Sequence, residues 1–188
     1  MKKVERCEYG HIRAQKNSNL RGALLMIAVG VAIFIAGLCL NKFESRNIFT
    51  VFAVLFVLPM ARYLCTWFVM LPYHTPESEL YDRVKAVVPE GSILLSDYLF
   101  TSGERAMGMS FVVLTGHKVI GLAARDKEKT EKITEYLSQE LKKRGIPGKV
   151  IVYKEEERFL SEVKNADTAT RTEEEWTELT DFLRSLAV

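Results

Sequence analysis

The chain has 188 residues, of which 26 are Lys or Arg and 24 are Asp or Glu, and it contains three Cys. This length allows one folded domain of modest size with additional segments. Residues 77–188 contain no Cys, which excludes a disulfide framework there, and their seventeen basic residues against twenty-one acidic ones argue against binding to nucleic acid.

Residues 1–20 form a polar, basic segment, for which we predict a cytoplasmic tail. Six Lys or Arg lie in residues 1–21, whereas the link between the two apolar segments that follow offers only Lys42 and Arg46. Because basic residues accumulate on the cytoplasmic side of membrane spans, we expect both termini to face the cytoplasm at the plasma (inner) membrane. The same charge favours contact with anionic lipid headgroups.

Two apolar segments, residues 20–40 and 48–71, follow the tail. About 20 apolar residues are needed to cross the hydrocarbon core as a helix. Residues 21–72 are therefore predicted to be a transmembrane helical hairpin in contact with the lipid bilayer. A cleaved signal peptide is the alternative for the first segment, but the apolar run is long and the second span follows at once. The sequence thus predicts a two-pass membrane protein.

Small residues recur in the first span at helical spacing. They allow the close approach of another helix, because packing must drive helix association in lipid. The partner is either the second span or, in a homo-oligomer, a span of another copy. The residues predicted for this packing are Ala28, Gly30, Ala32, Ala36 and Gly37.

Pro59 and Arg62 are the chemically distinctive residues of the second span. Proline removes a backbone hydrogen bond and kinks a helix. Arg62 lies close to the middle of the span, where a charge costs about 2.5–3.5 kcal/mol on insertion scales. Pro59 and Arg62 are therefore candidates for an intramembrane site that binds lipid or a partner. The alternative is that the Arg62 side chain extends past the kink to the headgroups.

Residues 77–188 are predicted to form a soluble α+β domain, a mixed sheet of about four strands with helices packed on it. Short apolar runs bounded by turn residues predict the strands, and apolar residues spaced by three and four predict the helices. Thr172 and Glu175 form the capping-box pattern that opens the last helix. In chain order the predicted elements are a helix at 77–88, strands at 92–100, 110–115 and 118–124, a helix at 127–144, a strand at 149–153, and helices at 155–165 and 173–186.

The order helix, strand, strand, strand, helix, strand over residues 77–153 resembles the core of the restriction-endonuclease-like fold. That family requires an Asp opening the second core strand and a Glu-x-Lys on the third. The corresponding segments of this sequence, SFVVLT and KVIGLAA, contain no acidic residue. The resemblance therefore implies a degenerate nuclease-like domain that has lost its metal-dependent chemistry.

The loop after the first strand, residues 101–108, is the predicted rim of a pocket. Its two glycines expose backbone amides, and Arg105 adds a positive charge. Asp97 and Glu104 are the acids close to it that could serve in acid–base chemistry. The domain has no Cys and a single His, His117, at a predicted turn. We therefore assign no catalytic residue, no metal site and no cofactor.

Two functions are compatible with these features. The first is a membrane-anchored regulatory or scaffold protein whose cytoplasmic α+β domain binds a protein partner near the bilayer. The second is a membrane-tethered enzyme or small-ligand binder that uses residues 97–105. Because the sequence offers no nucleophile beside an oriented base, the first is favoured.

Overall fold

The computed structural model describes residues 6–40, 48–102, 105–166 and 171–187. The chain divides into two compact units. The helical unit is Ile12–Pro72. The α+β unit combines the described residues up to His11 with those from Tyr73 onward.

The helical unit is built from α1 (His11–Leu40), α2 (Ile48–Leu55) and α3 (Val57–Met70). Within the described residues, two helical segments, His11–Leu40 of 30 residues and Ile48–Met70 of 23, are long and apolar enough to cross a membrane. This confirms the two predicted apolar helices at the level of length and composition. The first helix begins well before residue 20, so the polar second half of the predicted tail is helical.

The second apolar segment is interrupted at Phe56, where α2 ends and α3 begins. Pro59 explains the position of this break. It has no N–H to donate to the carbonyl of Leu55, and its ring would clash with that carbonyl in a regular helix. The backbone forms a tighter turn at this point. The Phe56 N–H donates to the Ala53 carbonyl at 3.2 Å, and ψ of Phe56 is −14°.

Replacing Pro59 by alanine is expected to merge α2 and α3 into one helix, because an N–H at position 59 can donate to the Leu55 carbonyl. Removing a proline from a helix interior relieves about 3 kcal/mol of local cost. Backbone chemical shifts of residues 54–58, measured by NMR on the full chain in micelles, should move to helical values. Unchanged shifts in the Pro59→Ala variant would show that another constraint holds the break.

The α+β unit contains a sheet in the strand order β1-β2-β3-β4. The first three strands are antiparallel, and β3 and β4 are parallel and joined through α5. This confirms the predicted α+β fold with a mixed four-stranded sheet within the described residues. The elements are α4 (Ser78–Val87), β1 (Ile93–Thr101), β2 (Ala106–Leu114), β3 (Lys118–Ala123), α5 (Thr130–Arg144), β4 (Lys149–Tyr153), α6 (Glu156–Lys164) and α7 (Glu173–Leu186).

Hydrophobic cores lie on both faces of the sheet, because both sets of alternating residues in β2 and β3 are apolar. One core joins side chains such as Val112 and Leu114 to residues of α5 and α7. The other joins Phe111 and Val113 to residues of α4 and α6. The sheet is therefore the middle layer of this unit.

In the α+β unit, element boundaries differ from the prediction by more than one residue in two places. β2 begins at Ala106 and not at residue 110, because pairing with β1 extends to Thr101 opposite Ala106 and overrides the weak strand propensity of AMGM. α5 begins at Thr130 and not at residue 127. The predicted capping box is confirmed: Thr172 and Glu175 bond each other's backbone N–H, and these bonds hold the pKa of the Glu175 carboxyl below its usual value.

Candidate functional site: a buried junction and a surface groove

Two short segments that flank the helical unit in sequence, residues 6–10 and 73–76, fold as part of the α+β unit. We call them the flanking segments. The first covers the edge of β1, where the Ser96 N–H donates to the carbonyl of Cys7 at 3.0 Å. The two segments also meet, since the Tyr9 hydroxyl donates to the Pro76 carbonyl at 2.9 Å. Residues 6–10 are therefore not an independent tail.

The C-terminal end of the chain covers the same edge of β1. Ala187 forms a bridge with Phe100, and the Arg6 guanidinium donates to the Ala187 carbonyl at 3.3 Å. An uncovered strand edge is open to pairing with another chain, so this cover removes an aggregation hazard.

Asp97 is the most unusual residue of β1. It is 1% exposed, and its φ of +52° lies in the left-handed region that strand residues avoid. The Thr75 hydroxyl donates to Asp97 Oδ2 at 2.8 Å. Cys7, beside it at the edge of β1, is 3% exposed and also has a positive φ of +64°. We call Cys7, Thr75, Ser96 and Asp97 the junction.

The neighbouring strand is irregular at the same level. Ser96 pairs with Phe111 and Tyr98 with Met109, so Ser110 lies opposite Asp97, and the register between β2 and β3 shifts between Met109 and Phe111. Backbone strain of this kind persists only where the surroundings hold it in place. Here the flanking segments hold the strained backbone of β1 in place, because Cys7 is bonded to Ser96 and Thr75 is bonded to Asp97.

Tyr73 fixes the second flanking segment to the sheet. Its ring lies on Gly108, so closely that a Cβ on that glycine would be 2.6 Å from two ring atoms. Its hydroxyl is 2.9 Å from the Ala106 carbonyl oxygen and 3.1 Å from Glu128 Oε1, and the Arg125 guanidinium lies 5.1 Å from the ring centroid. Burial and the Glu128 carboxylate raise the pKa of Tyr73 to about 12, so the phenol stays protonated as a donor.

The chemistry available at the junction is limited. Burial raises the pKa of the Cys7 thiol to about 11, so Cys7 is protonated at neutral pH and is not a nucleophile. Among the described residues, no group of three or more His, Cys, Asp or Glu side chains could hold a metal ion.

A groove of about 390 Å³ opens between the start of β2 and the outer face of α5. Its floor is apolar: Met107 is buried, and Tyr136 stacks on Phe100 with ring centroids 5.5 Å apart and planes 16° apart. Its rim is polar and carries Arg105 and Lys132. We call this the Arg105 groove; its lining residues are Ser102, Arg105, Met107, Lys132, Glu135, Tyr136 and Gln139.

The three residues predicted for the pocket rim are separated in the structure. Arg105 lines the groove, whereas Asp97 is buried in the junction and does not line it. Glu104 lies outside the described residues. The prediction missed Lys132, Tyr136 and Gln139, although their spacing of four and three residues places them on one face of α5 and could have indicated a shared surface.

In the helical unit, glycine is the point of close approach between α1 and the second apolar segment. A Cβ on Gly30 would be 3.4 Å from Phe56 Cβ, and one on Gly22 would be 2.9 Å from the Tyr63 ring. Gly37 is buried, whereas Ala28, Ala32 and Ala36 are exposed.

The intramembrane candidates lie on α3. Arg62 is exposed, and its backbone carbonyl accepts a hydrogen bond from the Thr66 hydroxyl at 3.1 Å. Pro59 is also exposed and lies near the start of α3, just after the break at Phe56. The shared face of the helices leaves an apolar groove of about 290 Å³ beside the break, lined among others by Gly30, Phe56 and Met60.

No protein-family model, no curated protein and no solved structure matches this chain. The restriction-endonuclease-like expectation therefore still rests on the order of the elements alone.

Proposed function

We propose that this chain is a two-pass protein of the plasma (inner) membrane, with both termini in the cytoplasm, whose α+β unit is a regulatory binding module. Its membrane anchorage is supported by where apolar surface is exposed. In the described part of the chain, every exposed large hydrophobic side chain lies between Leu20 and Leu71, with Leu58 at 70% and Leu25 at 58%. Apolar surface on this scale suits lipid and not water.

The observation that carries a regulatory role is the junction. Cys7 precedes α1 by four residues and Thr75 follows α3 by five, and both are bonded to neighbouring residues of the strained β1 segment, Ser96 and Asp97. A movement of either helix end that pulls on residue 7 or residue 75 therefore acts on β1 directly. Strained, buried segments of this kind are typical of switches that have two arrangements.

The Arg105 groove is the proposed recognition surface. It lies on β2, the strand paired with β1, so that a change in β1 reaches the groove through the β1–β2 ladder. A protein partner or a second copy of the chain would use its polar rim. The small-ligand alternative is favoured by the apolar floor of the groove beside polar groups, a combination found in small-molecule sites.

We expect the full-length protein to float with phosphatidylcholine vesicles. We also expect hydrogen exchange at the junction to depend on the thickness of the bilayer. Hydrophobic mismatch changes helix tilt, so the Ser96 amide, which is bonded to Cys7, should exchange hydrogen at different rates in short-chain and long-chain lipid. Thr75→Val removes the bond to Asp97 and should weaken this dependence. Residue-resolved hydrogen exchange on the reconstituted protein measures it.

Thr75→Ser is the matched control, because it keeps the hydroxyl that donates to Asp97 and should behave as the unaltered chain. Failure to float would refute the membrane assignment. If the protein floats but the exchange rate of the Ser96 amide does not depend on lipid thickness, the coupling through the junction is refuted and the membrane anchorage is not.

A further inference from the structure

The two cations on the rim of the Arg105 groove lack a partner among the described residues. Neither Arg105 nor Lys132 makes a side-chain hydrogen bond or an ion pair there, whereas Arg83, Lys118, Arg125, Lys143 and Arg158 each pair with a glutamate. Lys132 and Glu135 have the three-residue spacing of a helical ion pair, yet the Glu135 carboxylate accepts from the Gln139 amide instead, at 3.3 Å.

The lining of the groove carries two cations against one carboxylate, Glu135, which accepts from Gln139. Arg105 brings a planar guanidinium with five N–H groups, Lys132 brings an ammonium, and a hydroxyl stands at Tyr136, whereas the Ser102 hydroxyl already donates to the Arg105 carbonyl at 3.4 Å. Such a set suits a ligand that carries several acceptor oxygens and negative charge. A guanidinium and an ammonium together are a common combination for phosphate, because the first binds two oxygens at once and the second acts as a point charge.

The apolar floor of the groove limits which molecules could carry the bound phosphate group. The Tyr136 ring, stacked on Phe100, offers an apolar surface next to the cations, and Met107, which also lines the groove, is 3% exposed. At about 390 Å³ the groove is in the lower part of the range for small-molecule sites, roughly 300–1,000 Å³. A small molecule with a phosphate group attached to an apolar or planar part would contact both the two cations and the apolar floor.

We propose that the Arg105 groove binds a small molecule through a phosphate group, held by Arg105 and Lys132 over the floor formed by Met107 and Tyr136. This deepens the small-ligand alternative given above, since it names the ligand chemistry of the Arg105 groove and rests on that groove being the recognition surface. The same phosphate chemistry is offered by a free phosphorylated metabolite and by a lipid headgroup with a terminal phosphate.

The test uses the full-length protein in a phosphate-free, non-ionic detergent. Pyrophosphate is titrated in a calorimeter at constant ionic strength set with sodium chloride. Binding should weaken about tenfold or more in Arg105→Gln and in Lys132→Gln, because each removes a charge-assisted contact. Lys143→Gln is the control: it removes the same charge from the same helix, but Lys143 already pairs with Glu140. Its affinity should equal that of the unaltered chain.

A second arm separates the two sources. The same variants are compared for headgroup binding in vesicles that contain phosphatidic acid or, as a phosphodiester control, phosphatidylglycerol. Loss of binding in Arg105→Gln and Lys132→Gln in either arm, with Lys143→Gln unaffected, supports the site, and the arm in which it occurs identifies the source. No binding in both arms, or equal weakening by all three substitutions, overturns it.

Two further measurements distinguish loss of phosphate binding from misfolding of the variants and from loss of membrane binding. Circular dichroism and thermal unfolding of the variants should match the unaltered chain, because Arg105 and Lys132 are exposed. Flotation with vesicles should also be unchanged, so failure of the phosphate site would leave the membrane assignment intact.

Discussion

Gly108→Val should lower the free energy of unfolding of the α+β unit by about 3 kcal/mol, at the upper end of what overpacking costs. Any Cβ at this position meets the Tyr73 ring at 2.6 Å and Ala124 Cβ at 3.2 Å. The ring cannot retreat easily, because its hydroxyl is bonded to β2 and to Glu128 while Arg125 lies against its face. Urea unfolding of the full chain in micelles, followed by tryptophan fluorescence, measures the change.

A double-mutant cycle gives the control for Gly108. In a Tyr73→Leu background the ring is gone, so introducing valine at position 108 should cost much less than it does beside Tyr73. Equal costs in the two backgrounds would mean that Tyr73 does not lie on Gly108 in solution. The same variants should show whether the second flanking segment stays attached, through exchange at the backbone of residues 73–76.

Asp97→Ala should lower the free energy of unfolding by about 3 kcal/mol, which is the sum of two separable effects. A hydrogen bond to a charged group contributes roughly 1.5–3 kcal/mol, and the left-handed conformation costs an ordinary L-residue about 1–2 kcal/mol. Asp97→Gly loses the bond to Thr75 but adopts the positive φ freely. It should therefore be about 1 kcal/mol more stable than Asp97→Ala, with both measured by the same urea titration.

Asp97→Asn is the conservative member of this series. Asparagine tolerates the left-handed region and keeps an acceptor for the Thr75 hydroxyl, so it should cost the least. If alanine and glycine at position 97 were equally stable, the positive φ of this residue would not be present in solution. Thr75→Val should reproduce only the hydrogen-bond part of the loss.

The large elements of this chain could be predicted from sequence, because their signals are local. The two apolar helices follow from unbroken runs of apolar residues, and the capping box at Thr172 follows from two residues at fixed spacing. Strands β1, β3 and β4 follow from short apolar runs bounded by turn residues. Pro59 even marks the helix break, although the break itself falls three residues earlier, at the carbonyl that the proline cannot bond.

The junction and the groove could not be predicted, because each depends on residues far apart in sequence. Ser96 is bonded to a residue nearly ninety positions earlier, and no local pattern around Cys7 indicates strand-edge pairing. The sequence of β1, ILLSDYLFT, gives no sign that Asp97 has a positive φ. Arg105 and Lys132, twenty-seven positions apart in sequence, come together only because the start of β2 and α5 line the same groove.

The cover over β1 has a practical consequence for dissecting this protein. The folded α+β unit is discontinuous in the polypeptide, since the helical hairpin is inserted between Cys7 and Thr75 and both residues belong to one body. A fragment that begins at residue 77 would leave out both flanking segments and uncover the edge of β1 at Ser96, where the Cys7 carbonyl is bonded. Joining residue 10 directly to residue 73 with a short glycine-rich linker would instead keep both flanking segments and the sheet in a single polypeptide without the apolar helices.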